Sequence, residues 1–147
     1  MATVRRGPAL RTFWRIHRWI LQASQGRLGQ RLGPGRQLLL VTTGRKSGEP
    51  RPVALTYLED GGRWIVVASN AGDDRDPTWW LNLAAHPRAQ VMIGGRTVPV
   101  IAREVQDPER EALYRRFIDD IDRSYAEYQT QTTRRIPVVA LQPEETA

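Results

Sequence analysis

The sequence predicts one α+β domain of about six mainly antiparallel strands, with an N-terminal amphipathic helix and two further helices. Its 147 residues suit a single domain, and 40% hydrophobic with 26% charged residues is typical of a folded chain. From Gln37 onward, short apolar runs alternate with turn residues, which favours hairpins. Asp76-Pro77 and Asp107-Pro108 each place a capping residue before proline, which predicts a helix start. Cysteine is absent and only two His are present, so disulfides and Cys-ligated metals are excluded and no metal site is expected.

The N-terminal segment is predicted to be a helix followed by a linker. Apolar side chains recur at steps of three and four from Leu10 to Leu28, and Gly and Pro are frequent from Gly29 to Gly35. The helix either covers one end of the sheet, which we favour, or lies on an anionic membrane surface. We therefore divide one structural domain into residues 1–36, the basic helix and linker, and residues 37–147, its main body.

The first third of the chain is also strongly basic. Residues 1–51 carry 11 of the 22 Lys and Arg residues and one acid, Glu49, for a net charge of +10. Residues 52–147 carry the other 11 against 15 acids, for a net charge of −4. This asymmetry indicates an anionic partner, which could be nucleic acid, a membrane surface or a phosphorylated ligand. A solvated basic surface is the remaining alternative.

The strands and helices after the linker follow from apolar runs and their breakers. Asp60-Gly61-Gly62 and Gly94-Gly95 are turn signals, and each predicts a hairpin. Ser124–Thr133 is polar and has no clear period, so no helix is predicted there. Strands are predicted over Gln37–Thr43, Pro52–Glu59, Arg63–Ser69, Arg88–Ile93, Arg96–Glu104 and Ile136–Leu141, and helices over Pro77–Ala85 and from Asp107 to about Ile121.

The loop after the first strand carries the residues that best suit anion binding. Arg45, Lys46 and Arg51 place three cations within seven residues, and Lys46 is the only Lys in the chain. Gly44 and Gly48 allow a tight turn and a close approach to a ligand. Backbone amides and Arg side chains together suit a phosphate or a carboxylate. The loop lacks the spacing of a Walker A motif, and a solvated turn is the alternative interpretation.

Four blocks of sequence resemble the deazaflavin (F420)-dependent nitroreductase family, in the nitroreductase-like branch of the split β-barrel F420-dependent oxidoreductases. The resemblance covers roughly Leu38–Pro143. The blocks are Leu38–Arg51, Ala68–Gly72, Asp76–Leu83 with the exit His86-Pro87, and the tail from Tyr125 to Val139.

This resemblance implies a split β-barrel fold and a defined cofactor. Residues 37–147 would be the cofactor-binding domain, and the cofactor would be coenzyme F420, an 8-hydroxy-5-deazaflavin with a phosphodiester and an oligoglutamate tail. FMN is the less favoured alternative. Reduced F420 would donate a hydride to an activated alkene, a quinone or a nitro-type acceptor, and the cofactor would carry most of the chemistry. The resemblance assigns cofactor binding to Thr43, Gly44, Arg45, Lys46, Ser47, Gly48, Arg51, Ala68, Ser69 and Trp79, with Ser47 and Gly48 as backbone donors, and catalysis to Ser69, Tyr125 and Tyr128.

Two positions depart from the family pattern. Asp122 stands where the family has a third Tyr, and Thr56 stands where the nitroreductase has a further Tyr. These departures leave the cofactor residues intact and indicate a substrate other than the nitroimidazole. Two roles stay open for Asn82, which either bonds to the cofactor or ties its helix to a neighbouring loop.

Two other function classes stay open from the sequence, a non-catalytic F420 or flavin carrier and a basic protein that binds anionic surfaces. The expected partner is a small-molecule acceptor rather than nucleic acid, and the protein is expected to be a monomer or a homodimer. No apolar run approaches the ~18 residues of a membrane span. We therefore expect a cytoplasmic protein, with peripheral contact between the N-terminal helix and the inner face of the membrane as an alternative.

Overall fold

Six antiparallel strands close into a barrel in the computed structural model, which describes residues 36–144. The neighbouring strands follow the order β1-β2-β3-β6-β5-β4, and β4 returns to pair with β1. The predicted N-terminal helix and linker therefore lie outside the described residues. The elements are β1 (Arg36–Thr43), β2 (Pro50–Asp60), β3 (Arg63–Val67), α1 (Thr78–Ala85), β4 (Arg88–Ile93), β5 (Arg96–Glu104), α2 (Glu109–Arg116), α3 (Ser124–Thr130) and β6 (Val138–Pro143).

Two apolar clusters lie on opposite faces of the sheet, because side chains alternate along each strand. In β3, Trp64 and Val66 point into the barrel, where Trp79 and Leu83 of α1 join them. Ile65 and Val67 point outward and are covered by α2 and α3. Full burial of one such side chain contributes about 1.5–3 kcal/mol, so α1 at the end of the barrel is held mainly by its apolar face.

The six predicted strands are confirmed, with shifts at six of their ends. β1 begins one residue earlier, at Arg36, β2 ends one residue later, at Asp60, and β6 ends at Pro143 rather than Leu141. β2 begins at Pro50 rather than Pro52, because Pro50 pairs with Thr43 across the first hairpin. β3 ends at Val67 rather than Ser69, where the chain turns away from the ladder. β6 begins at Val138 rather than Ile136, since the intervening Pro137 has no amide to donate.

Both helices predicted after the N-terminal one are confirmed, and the described residues form one more helix, α3, in the segment without a clear period. Tyr125 and Tyr128 lie three residues apart and face the outer apolar cluster, and this packing replaces a regular apolar stripe. No helix among the described residues is long and apolar enough to cross a membrane.

Both predicted aspartate caps were wrong. Pro77 is the N-cap of α1 and Pro108 is the N-cap of α2, and neither helix start has a capping side chain. The carboxylate of Asp76 instead accepts a hydrogen bond from Arg134, and that of Asp107 accepts one from Arg135. Each carboxylate therefore pairs with a guanidinium, which forms a stronger, charge-assisted bond than a backbone amide does.

Candidate functional site

The basic loop, Gly44–Glu49, is a tight turn between β1 and β2. The Gly44 amide donates to the Glu49 carbonyl at 2.8 Å, and the Gly48 amide donates to the Gly44 carbonyl at 2.8 Å. Gly48 has φ +72°, and a Cβ on Gly44 would lie 2.5 Å from Ser47 Oγ. The Gly48 amide, predicted to donate to the cofactor, is used by the turn itself in this structure.

The remaining donors of the basic loop are available to a ligand. The side chains of Arg45 and Lys46 are exposed and form no ion pair within the described part of the chain. The amides of Lys46 and Ser47 likewise have no acceptor among residues 36–144. Arg51, at the start of β2, donates to Ser47 Oγ at 3.3 Å and lies 3.6 Å from the Glu49 carboxylate. These groups form an exposed cationic surface of the kind that binds phosphate.

Asn82 joins the basic loop to α1. Its Nδ2 donates to Thr42 Oγ1 at 3.1 Å, and its Oδ1 accepts from the Arg45 amide at 3.1 Å. The Thr42 hydroxyl donates in turn to the Arg51 carbonyl at 3.4 Å. Asn82 is 2% exposed and Thr42 is 1% exposed. Asn82 is therefore the tie between helix and loop, the second of its two predicted roles, and Thr42 is a residue that sequence reasoning missed.

A cleft of about 340 Å³ opens beside these residues. We call it the loop cleft. Trp79, which is predicted to face the ligand, is 8% exposed. It forms part of the wall of the loop cleft and also belongs to the barrel core. Its neighbour Trp80 is half-buried against the same core. Ligand sites range over roughly 300–1,000 Å³ with mostly apolar walls, and the loop cleft fits that description. Its lining residues are Thr42, Arg51, Pro52, Val53, Thr78, Trp79 and Asn82.

A second, more open cleft of about 670 Å³ adjoins the first at Thr78. We call it the turn cleft, because it lies along the segment between β3 and α1. Asn70 and Asp76 line it together with Leu81 of α1. The shared residue Thr78 makes the two clefts parts of one continuous surface around the start of α1.

Ala68 and Ser69 lie where β3 leaves the barrel and the turn begins. Ala68 is fully buried, and its amide donates to the Pro137 carbonyl at 2.9 Å. Ser69 is half-buried, and its carbonyl accepts from the Gly72 amide at 2.9 Å. The Ser69 hydroxyl has no hydrogen-bond partner among residues 36–144. It is therefore free to bond to a ligand beside Asn70, which lines the turn cleft.

Arg134 fixes this segment and was not predicted as a site residue. Its guanidinium reaches the carbonyls of Ala68, Ser69 and Asp73 and the carboxylate of Asp76. From the sequence, Arg134 is one of 21 Arg residues in a polar tail, and no spacing distinguishes it. Only the tertiary structure brings it to the end of β3.

Tyr125 and Tyr128 lie in the outer cluster, between α3 and the sheet. The Tyr125 ring makes edge contacts with Phe117 at 5.2 Å and with Tyr128 at 5.4 Å between centroids. Burial raises the pKa of Tyr125 to about 12, the Tyr128 phenol adds to the rise, and a hydrogen bond with Thr56 opposes it. Tyr125 is therefore protonated at neutral pH and is a weaker acid than an exposed Tyr.

The two positions that depart from the family pattern both contact α3. Asp122 precedes α3, and its Oδ1 accepts from the Ser124 amide at 2.9 Å. That amide holds the pKa of the Asp122 carboxyl below its ordinary value. Asp122 thus starts the helix that carries the two Tyr residues, whereas Thr56 hydrogen-bonds to one of them, Tyr125.

The structure groups the predicted residues into two neighbouring sets. The first is the basic loop with Thr43, Arg51 and Trp79, of which Arg51 and Trp79 line the loop cleft. The second is Ala68 and Ser69 at the turn. Tyr128 lies beside the second set, since a Cβ on Gly72 would lie 3.1 Å from its backbone. Tyr125 packs deeper in the outer cluster.

Comparison with known proteins gives concordant results. A family model described as F420H(2)-dependent quinone reductase matches residues 13–143. The chain is 40% identical over 130 residues to an F420H(2)-dependent quinone reductase of Mycobacterium tuberculosis (strain ATCC 25618 / H37Rv), an alignment that covers 86% of this chain and 87% of that protein.

Two solved structures also resemble the barrel. The structure of an F420-H2 dependent reductase, FDR-A, has a TM-score of 0.66 and 39% identity, and the match covers 72% of this chain and 93% of that one. A structure described as a domain-swapped dimer has a TM-score of 0.69 and 35% identity, over 90% of this chain and 99% of that one.

Proposed function

The chain belongs to the F420H(2)-dependent quinone reductase family, and from this premise we propose that its basic loop and loop cleft hold coenzyme F420 for the two-electron reduction of a quinone. Family membership confirms the predictions of a split-barrel fold, of F420 as the cofactor and of oxidoreductase activity. It also supports a small-molecule acceptor as the partner. The assignment of individual residues is the part that we propose.

The main support for the proposal is that cations without an ion-pair partner in the described chain lie beside an apolar cleft. Arg45 and Lys46 form no ion pair in the described chain, and the loop cleft lies directly beside Arg51. F420 has the matching chemistry, because its phosphodiester and glutamate tail are anionic and its ring is flat and aromatic. We assign the anionic part to Arg45, Lys46 and Arg51, and the ring to the surface between Trp79 and Ser69.

Bound F420H2 supplies a hydride, and the quinone takes up a proton as well to become a quinol. This chain's own residues therefore have to orient the acceptor and supply that proton. We assign these tasks to Ser69, whose hydroxyl is free, and to Tyr128 and Tyr125 of α3. Because burial raises the pKa of Tyr125 to about 12, its phenol suits a hydrogen bond that orients the acceptor better than transfer of the proton.

A fluorescence titration with F420, and with FMN at the same salt concentration, tests the cofactor site. We expect saturable quenching by F420 alone, and weaker binding by Lys46→Ala and Arg51→Ala. Arg96→Ala, which removes an exposed cation from the β4–β5 turn, is the matched control and should bind as the parent does. Equal affinity in all four proteins would refute the assignment of the basic loop.

Reoxidation of F420H2 by a soluble naphthoquinone tests the reaction. Turnover that saturates with quinone supports a reductase, whereas tight F420 binding without turnover by any quinone, enone or nitro acceptor would indicate a carrier. The expected order is quinone above nitroimidazole, because Asp122 and Thr56 replace two aromatic side chains of the nitroreductase pattern.

We also propose that the protein is a homodimer. A relative of 35% identity is described as a domain-swapped dimer, and its match covers 90% of this chain. Light scattering coupled to size exclusion would give twice the monomer mass. A cytoplasmic location, with contact between the basic N-terminal segment and the inner membrane face, stays a prediction, because residues 1–35 lie outside the described chain. Cosedimentation with anionic vesicles tests the contact.

A further inference from the structure

Arg134 binds one short segment of backbone from several directions at once. Its Nη2 donates to the Ser69 carbonyl at 2.8 Å, and its Nη1 donates to the Ala68 carbonyl at 3.2 Å. Its Nε donates to the Asp73 carbonyl at 2.9 Å. Nη1 also pairs with Asp76 Oδ1 at 3.1 Å, just before α1. One guanidinium therefore connects the end of β3, the turn and the start of a helix.

The segment that Arg134 binds has a backbone that needs external support. Asn70 has φ +46° and Ala71 has φ +53°, and Gly72 follows with φ +83°. Left-handed backbone is unfavourable for residues with a Cβ and persists where surrounding contacts hold it. Apart from Arg134, the turn has two short backbone bonds, from Gly72 to Ser69 and from Asp73 to Asn70, and two local side-chain bonds, between Asn70 and Arg75 and between Arg75 and Asp73. The guanidinium adds hydrogen bonds to the carbonyls of Ser69 and Asp73 from a distant part of the chain.

The backbone of Arg134 is held in turn by α3. Gln129 Nε2 donates to the Arg134 carbonyl at 2.8 Å. Gln129 Oε1 accepts from Arg110 Nη2 at 2.9 Å and from the Ile136 amide at 3.0 Å. Arg110 is 4% exposed, so this network is buried. Gln129 directly follows Tyr128, and the network therefore joins the Tyr-bearing helix to the turn.

We infer that Arg134 is a positioning residue that holds the Ala68–Asp76 segment and α3 in one fixed arrangement. The inference rests on the proposed function, in which the segment lies by the deazaflavin ring and α3 lies by the acceptor. Loss of the guanidinium would free the turn and let ring and acceptor drift apart. A displacement of about 1 Å can cost roughly 100-fold in rate, whereas the anionic contacts at the basic loop would persist.

The test compares Arg134→Gln with Arg135→Gln. Arg135 is the adjacent cation, and it pairs with Asp107 and Glu111 instead of the turn. We expect Arg134→Gln to lower kcat with the naphthoquinone by about 10- to 100-fold, with F420 affinity within a few-fold of the parent. Arg135→Gln should match the parent in both. If kcat is unchanged in folded Arg134→Gln, or falls equally in Arg135→Gln, the inference is wrong.

Hydrogen exchange of the free protein gives a second readout, which needs neither cofactor nor turnover. The amides of Gly72 and Asp73 should exchange faster in Arg134→Gln, whereas those of the barrel strands should keep the parent rates. Unchanged exchange at the turn would overturn the inference even if the parent had no quinone reductase activity. Failure of the proposed function would instead appear as a parent without turnover.

Arg134→Lys covers the case in which Arg134→Gln does not fold. It keeps the charge, but a single ammonium lacks the planar geometry that reaches carbonyls on both sides of the turn. We expect intermediate kcat and intermediate exchange at the turn. If Arg134→Lys has the kcat and the exchange rates of the parent, charge alone suffices and positioning by the guanidinium is refuted.

Discussion

Replacement of Asn82 by Ala tests the connection between α1 and the basic loop. The variant loses the bond to Thr42 Oγ1 and the bond from the Arg45 amide, both at 3.1 Å. A hydrogen bond contributes about 0.5–1.5 kcal/mol net, and a buried group left unpaired costs about 1–3 kcal/mol. Because Asn82 and Thr42 are both buried, we expect the free energy of unfolding to fall by about 2–3 kcal/mol.

Urea unfolding measures this change, and a double-mutant cycle assigns it to the contact. Thr42→Val keeps the shape of the side chain and removes the hydroxyl that Asn82 Nδ2 contacts. The two single changes share one hydrogen bond, so the double variant should be more stable than the sum predicts, by about 0.5–1.5 kcal/mol. Additivity within about 0.3 kcal/mol would refute a direct Asn82–Thr42 interaction.

The same variant links stability to cofactor binding. Asn82 fixes the amide of Arg45, which is one of the cations assigned to the F420 phosphodiester and tail. Asn82→Ala should therefore weaken F420 binding under conditions in which the protein stays folded, although Asn82 carries no charge. Ala84→Ser, which changes an exposed residue of α1 that lines neither cleft, is the control. Equal affinity in the two variants would mean that the loop keeps its shape without the tie.

Three further predictions concern other parts of the site. Lys46→Ala and Arg51→Ala should each weaken F420 binding by about 1.5–3 kcal/mol at low salt, and titrations at rising salt should shrink the difference, because both cations are exposed. The pKa of Tyr125 is raised to about 12 by burial, so its contribution to stability should be complete below pH 10 and be lost as pH rises toward 12. Urea midpoints should therefore fall less over that window in Tyr125→Phe than in the parent, and equal falls would contradict the shift. Gly72→Ala should destabilise the protein more than Gly95→Ala, because both glycines have positive φ but only at Gly72 would a Cβ lie within 3.1 Å of neighbouring atoms. Thermal melts compare the two, and equal losses would refute the steric argument.

Local sequence patterns were sufficient to predict the barrel strands. The structures of the apolar run from Gln37 to Thr43 and of the two Gly-Gly turns depend on neighbouring residues. Hydrophobic patterning and turn residues were therefore enough to identify them. The failures occurred where a distant group overrode a local preference. Asp76 has the sequence context of a helix cap, yet it pairs with Arg134, 58 positions later in the chain.

The candidate site shows the same division. The basic loop has two cations and two glycines, with Arg51 just after it, and this local feature was predicted from composition and spacing. Thr42 gave no such indication, because a Thr near the end of an apolar strand is ordinary until a buried Asn82 faces it. Nothing in the sequence indicated that the Gly48 amide closes the turn that its positive φ permits.

The position of α1 connects the two halves of the candidate site. A helix of eight residues is too short to be stable alone, so contacts outside the helix must set its register. Asp76 is held by Arg134 just before the helix, and Asn82 is held by Thr42 and the basic loop near its end. Trp79, which lines the loop cleft, lies between these two ties. The register of the helix, and with it the position of Trp79, therefore depends on contacts that the local sequence of α1 does not contain.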